Sequence, residues 1–195
     1  MTGTFARGLI AGAAGTTALN AATYLDMALR GRPASTLPEE TVDALAGAIG
    51  SPVPGRGAQR DARRTGLGAL AGMANGVSVG VLASLARSAG MRLSPVSGAV
   101  VTGAAALAAT DAPATALGVT DPRRWSARDW IADAVPHLAY GAVTHAVVAG
   151  LPTAPERVQP VRPAGAGLVL RSALLGLATG AVSYTHLTLP TILRV

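Results

Sequence analysis

The chain has no cysteine, no lysine and a single phenylalanine among its 195 residues. Without cysteine there is no disulfide and no thiolate metal site. Without lysine every basic charge is an arginine, and the formal charge is +6. Aromatics amount to 3% and charged residues to 13%, against about 25% charged in soluble domains. A soluble core built from this composition would lack its large fillers, whereas membrane helices pack through Gly, Ala, Ser and Thr. The arginines sit between apolar runs and form no basic face with stacking aromatics, so nucleic-acid binding is not expected. No HExxH, P-loop, GxSxG or Rossmann fingerprint occurs. His137 and His145 are eight residues apart and only Asp133 joins His137, two ligands where a catalytic zinc takes three from the protein. The residues therefore name no catalytic group, no cofactor and no metal site.

What is present is apolar and small. Hydrophobic residues make up 50%, and there are 24 glycines. Gly68, Gly72, Gly76 and Gly80, continued by Ser84, recur every four residues and so share one helix face. In a soluble helix each glycine costs about 0.8–1 kcal/mol against alanine. A bare face repays that cost only where another backbone comes close, which is how lipid-embedded helices associate. Codon drift in a GC-rich genome is the competing source of these glycines.

A spanning helix needs about 20 mostly apolar residues. The expected fold is an all-α integral membrane bundle. Its four complete spans lie at about 8–29, 66–86, 95–110 and 130–151, with a truncated fifth at 165–181. The first apolar segment shows no convincing cleavage site and reads as a retained helix. Thr36-Leu-Pro-Glu39 reads as a capping box opening a short amphipathic helix over about 37–49, too short to span. Residues 51–64 read as a Pro/Gly/Arg loop. Ser126-Ala-Arg-Asp129 reads as a second capping box, and Trp125 and Trp130 fit an interfacial aromatic belt. Arg30, Arg32, Arg56, Arg60, Arg63 and Arg64 concentrate between the first two spans and favour a cytoplasmic first loop, placing Arg7 on the far side. Residues 182–195 open with VSYTHLTLPT, the translation of a common transposase sequencing adaptor, and read as adaptor read-through. Residues 1–181 then form a single membrane-embedded domain.

The fourth span carries Asp133, His137, Tyr140 and Thr144 within about 40° of one another on a helical wheel. Ionisable groups inside a membrane are expensive and are functional candidates by default. Two readings stay open: a polar pair that pins helices together, and a proton-responsive site, since histidine titrates near neutrality. Asp111 is the second candidate. Its place before Pro113 equally fits a cap on a restarting helix. Asp26, near the end of the first span, is read as reaching headgroups, and Asn20 as bonding across helices.

Ala11-Gly-Ala-Ala-Gly15-Thr, Thr110-Asp-Ala-Pro113 and Pro136-His-Leu-Ala-Tyr140-Gly141 resemble segments of small actinobacterial membrane proteins of unknown function. More distantly they resemble the YagU-like inner-membrane family. That resemblance implies a multi-pass protein of the bacterial cytoplasmic membrane, associated with acid tolerance, with His137, Tyr140 and Gly141 at the matching positions. The leading expectation is a non-enzymatic membrane protein, an envelope or acid-stress factor, in contact with the bilayer and with a second copy or another membrane protein. The alternative is a proton-coupled transporter or channel component using Asp133 and His137. A membrane enzyme ranks third.

Overall fold

Four long helices and one short one make up the computed structural model, which describes residues 3–153 and residue 156. Among the described residues there is no strand, and the fold is all-α. The helices are α1 (Thr4–Arg30), α2 (Leu37–Ala48), α3 (Gly57–Ser88), α4 (Pro95–Ala116) and α5 (Ala127–Gly150), with one 3-10 turn at Pro122–Arg124. The expected fifth span at 165–181 and the tail at 182–195 lie outside the described residues.

Helix α1 packs against α3 on one side and α5 on the other. Helix α4 packs on α5 and touches α3, while α2 lies along α3. One end of the bundle thus gathers the start of α1, the end of α3, the start of α4 and the end of α5. Burial favours small and polar residues over large apolar ones. The interior holds Gly8, Gly12, Gly15, Gly76, Gly80, Ala11, Ala106 and Ala114, together with Arg7, Ser84, Thr102, Asp111, His137, Tyr140 and Thr144. Phe5, Leu9, Ile10, Leu25, Leu70, Met73, Leu82, Val96, Val101 and Ile131 are exposed.

Several expectations are corrected. Asp111 does not cap a restarting helix, because α4 runs unbroken through Pro113 to Ala116. Proline removes one backbone hydrogen bond, and burial of Asp111 and Ala114 on either side of it holds the turn. Helix α4 is accordingly longer than the segment expected at 95–110. Residues 57–64 are helix, not loop. Asp43 of α2 bridges Arg60 and Arg64 at 2.8 and 2.7 Å, which fastens this polar first part of α3. The Thr36 box does not form. Thr36 has helical torsions and its hydroxyl donates to Glu40 at 2.6 Å, while Ser35 Oγ accepts the Leu37 amide at 3.2 Å. Glu39 turns away and accepts from Thr65 of α3 at 3.1 Å.

The Ser126 box makes both of its bonds: the Asp129 amide to Ser126 Oγ and the Ser126 amide to Asp129 Oδ2. Trp125 and Trp130 meet edge to face, with centroids 5.0 Å apart. Among the described residues α3 alone is long and apolar enough to cross a membrane by length and composition. The Thr and Gly content of α1, α4 and α5, and the acids of α4 and α5, lower their mean hydropathy.

Candidate functional site

The glycine face of α3 is used unevenly. A methyl group on Gly80 would lie 2.5 Å from Gly12 Cα, and one on Gly12 would lie 2.6 Å from both the Gly76 carbonyl oxygen and Val77 Cα. One on Gly8 would lie 2.5 Å from Val81 Cα. Here α1 and α3 run backbone to backbone, and only glycine fits. Gly76 abuts the Thr16 side chain, and Gly68 lies against Pro38 of α2. Gly72 has nothing near it and faces outward. Ser84 is fully buried. A second seam joins α4 and α5. A methyl group on Gly103 would lie 2.7 Å from the His137 carbonyl oxygen, one on Gly141 would meet the Ala99 carbonyl, and one on Gly98 the His145 ring. The spacing of Gly98 and Gly103 is not that of a regular four-residue ladder, so this seam carries no periodic signal.

Close approach of three helices sets the central polar groups. Tyr140 is fully buried and its hydroxyl donates to the Gly76 carbonyl at 2.5 Å. Thr144, one turn further along α5, donates to the Ala11 carbonyl at 3.3 Å. Both also flank Gly15 of α1. These two members of the expected stripe are therefore occupied by backbone carbonyls, as buried hydroxyls usually are.

Towards the other end of α5 the stripe changes character. His137 is 7% exposed. Its Nδ1 lies 2.8 Å from the Asp133 carbonyl oxygen and 3.4 Å from Asp133 Oδ1. A carbonyl only accepts, so Nδ1 carries a hydrogen in this arrangement. Asp111, from α4, faces both Asp133 and His137 and is 5% exposed. Among the described residues neither of its carboxylate oxygens has a hydrogen-bond partner, and Asp133 Oδ2 has none either. Two carboxyl groups and one imidazole thus meet with fewer donors than acceptors. Beside them Asn75 of α3 donates to Thr110 of α4 at 2.9 Å.

An open hollow of about 520 Å³ lies beyond α4, walled by Thr115, Thr120, Asp121, Arg123, Arg124 and Trp125. The acid cluster does not line it. Asp26 pairs with Arg30 at 2.8 Å and with Arg32 at 2.5 Å, where lipid headgroups were expected. His145 lies apart from Asp133, against α4. No group of three or more His, Asp or Glu placed to hold a metal occurs among the described residues.

The group that sequence reasoning missed is Arg7. It flanks the expected first span yet lies inside α1 and is completely buried. Its Nε donates to Ser84 Oγ at 2.8 Å, and its Nη2 to the Ser84 carbonyl and Ser88 Oγ at 3.0 and 2.9 Å. Its Nη1 reaches the Leu151 carbonyl at 3.4 Å and Glu156 Oε2 at 2.6 Å. Ser84 Oγ passes its own hydrogen to the Thr4 carbonyl at 2.7 Å. The only sequence signal is Ser84 itself, a hydroxyl ending the glycine face. No protein-family model matches this chain, and no curated protein or solved structure matches it either.

Proposed function

We propose that the protein is a non-enzymatic integral membrane bundle of the bacterial cytoplasmic membrane that binds protons at the Asp111–Asp133–His137 cluster. The observation that carries the membrane part is the inverted burial. Leu9, Ile10, Leu25, Leu70, Met73, Leu82, Val96, Val101 and Ile131 face outward, while glycine, alanine, hydroxyls and charges, with Val79 and Val148, face inward. In water that arrangement forgoes about 1.5–3 kcal/mol for every large side chain left exposed. In lipid it is the normal one, because outward leucines meet tails as apolar as themselves. Helices α1, α3, α4 and α5 have 27, 32, 22 and 24 residues. At about 1.5 Å per residue each exceeds a hydrocarbon core of about 30 Å.

The proton-binding part rests on charge balance. Two carboxyl groups and one imidazole are jointly neutral only when two protons are shared among them. A net charge buried in this setting is costly. Protonation is therefore what the cluster can exchange, and a role in acid stress, which the YagU-like resemblance implies, fits that chemistry. The second reading, a proton-coupled transporter or channel component, draws on the unpartnered oxygens of Asp111.

Alkaline carbonate extraction of bacterial membranes tests the location: the protein stays in the pellet, and release to the supernatant overturns the membrane reading. Purified protein in liposomes, given an acid jump and followed with an internal pH dye, separates the two functional readings. Proton flux abolished by Asp111→Asn supports transport. Absence of flux, with acid survival of a deletion strain restored by wild type and not by Asp111→Asn, supports the non-transporting factor. Normal acid survival with Asp111→Asn and with His137→Gln, together with absence of flux, overturns the proton-binding proposal.

A further inference from the structure

At the opposite end of the bundle from the acid cluster, three guanidinium groups close on one carboxylate. Arg7 comes from α1, Arg87 from the last turn of α3, and Arg92 from the connection to α4. Arg7 Nη1 stands 2.6 Å from Glu156 Oε2, Arg87 Nε 3.9 Å from the same oxygen, and Arg92 Nη1 3.6 Å from Oε1. Guanidinium does not deprotonate in proteins, so among the described residues this corner carries two positive charges in excess.

The three are not equivalent. Arg7 spends its donors on Ser84, Ser88, Leu151 and Glu156. Among the described residues Arg87 Nε is buried and has no hydrogen-bond partner, and Glu156 Oε1 has none either. Arg92 gives one hydrogen bond to the Arg87 carbonyl at 2.7 Å, and its side chain is 51% exposed. The charges of Arg92 and Arg7 crowd Arg87 against the single opposing charge of Glu156. An unpaired buried donor costs about 1–3 kcal/mol. An anion reaching Arg87 would relieve that cost and the mutual repulsion together.

We propose that Arg87 and Arg92 form a binding site for a phosphate-bearing anion, with Arg7 and Glu156 as its fixed floor. Arginine suits a tetrahedral oxyanion because its planar fork offers paired donors. The chemistry is shared by a phospholipid headgroup and by free phosphate. On the membrane reading above, the helix termini that carry the site stand at headgroup depth, which makes the phosphodiester of an anionic lipid the nearer source.

Calorimetric titration of the purified full chain in nonionic detergent tests this. The probes are dioctanoyl phosphatidylglycerol, dioctanoyl phosphatidylcholine and inorganic phosphate. Wild type binds the glycerol lipid at least tenfold more tightly than the choline lipid, and Arg87→Gln/Arg92→Gln loses at least tenfold. Arg92→Gln alone, altered where the side chain is half exposed, keeps the wild-type melting temperature and loses at least threefold. Displacement of the glycerol lipid by millimolar phosphate identifies a site that takes the free ion. Tenfold lipid preference without such displacement identifies the headgroup. Equal binding of the two lipids with no phosphate binding, or binding unchanged in both variants, overturns the proposal. Should carbonate extraction release the protein, the phosphate titration is run without detergent, so failure of the membrane reading is separable from failure of the site.

Discussion

Arg7 and Asp111 are both buried, both charged by type, and both inside long helices, yet their surroundings are opposite. Arg7 has five hydrogen bonds drawn from α1's neighbours and from the segment after α5. Asp111 has none. A buried charge with every donor matched behaves as a fastening: removing it strands its partners. A buried acid with no donor fastens nothing, so its retention there needs another reason, and proton exchange supplies one.

The sharpest way to break this contrast is to remove Arg7. Arg7→Met leaves Glu156 without its closest partner and Ser84 with an unused acceptor. A loss of about 3–5 kcal/mol is expected, as for breaking a buried ion pair, read by chemical unfolding in detergent micelles. A loss under 1 kcal/mol would mean that Arg7 fastens no more than Asp111 does.

Next in size is the glycine seam. Gly76→Leu drives a side chain into Thr16 and Tyr140 and should cost at least about 1–3 kcal/mol by overpacking. Gly72→Leu, from the same ladder, meets open space and should stay within about 0.5 kcal/mol of wild type. Thermal melts of the pair decide the matter, and equal losses would mean the ladder acts as a whole. Tyr140→Phe should cost about 0.5–1.5 kcal/mol for its one hydrogen bond to Gly76. Asp111→Asn should be the mildest, within about 1 kcal/mol of wild type in either direction, since the ionised carboxylate has no donor among the described residues and an amide can replace the proton it shares with Asp133.

A pH titration sharpens the comparison from the other side. Burial raises the Glu156 pKa. The Arg7 hydrogen bond, the Thr153 amide and the charges of Arg7 and Arg87 outweigh it, and the net value falls below the ordinary 4.5. Its stabilisation is therefore complete above about pH 4.5 and is lost as pH falls through the lower, folded-state value. Arg7→Met should flatten that acid limb of the stability curve, and an unchanged limb would remove Glu156 from the account.

Local signals carried the sequence reading and distant ones escaped it. The Ser126–Asp129 cap is legible because both partners lie within four residues and no neighbour competes for them. The Thr36 cap fails because Ser35 stands one position earlier with the same chemistry, and Thr65 attracts Glu39. The glycine spacing marks a face of α3, but whether a given member is covered depends on where α1 crosses, which leaves Gly72 bare. Asp111 looks like a cap by its proline, and only packing of α4 on α5 shows otherwise. Arg7 is invisible because its partners stand 77 to 149 residues away.

That last separation has a consequence for synthesis. Most of Arg7's partners, on α3, are made well before α5, but Leu151 and Glu156 leave the ribosome after the five described helices. Until they arrive, one arm of the guanidinium has no acceptor. A nascent chain arrested at residue 150 has the five described helices and an incomplete fastening, so the step from that set of helices to a sealed bundle is made by Leu151 and Glu156.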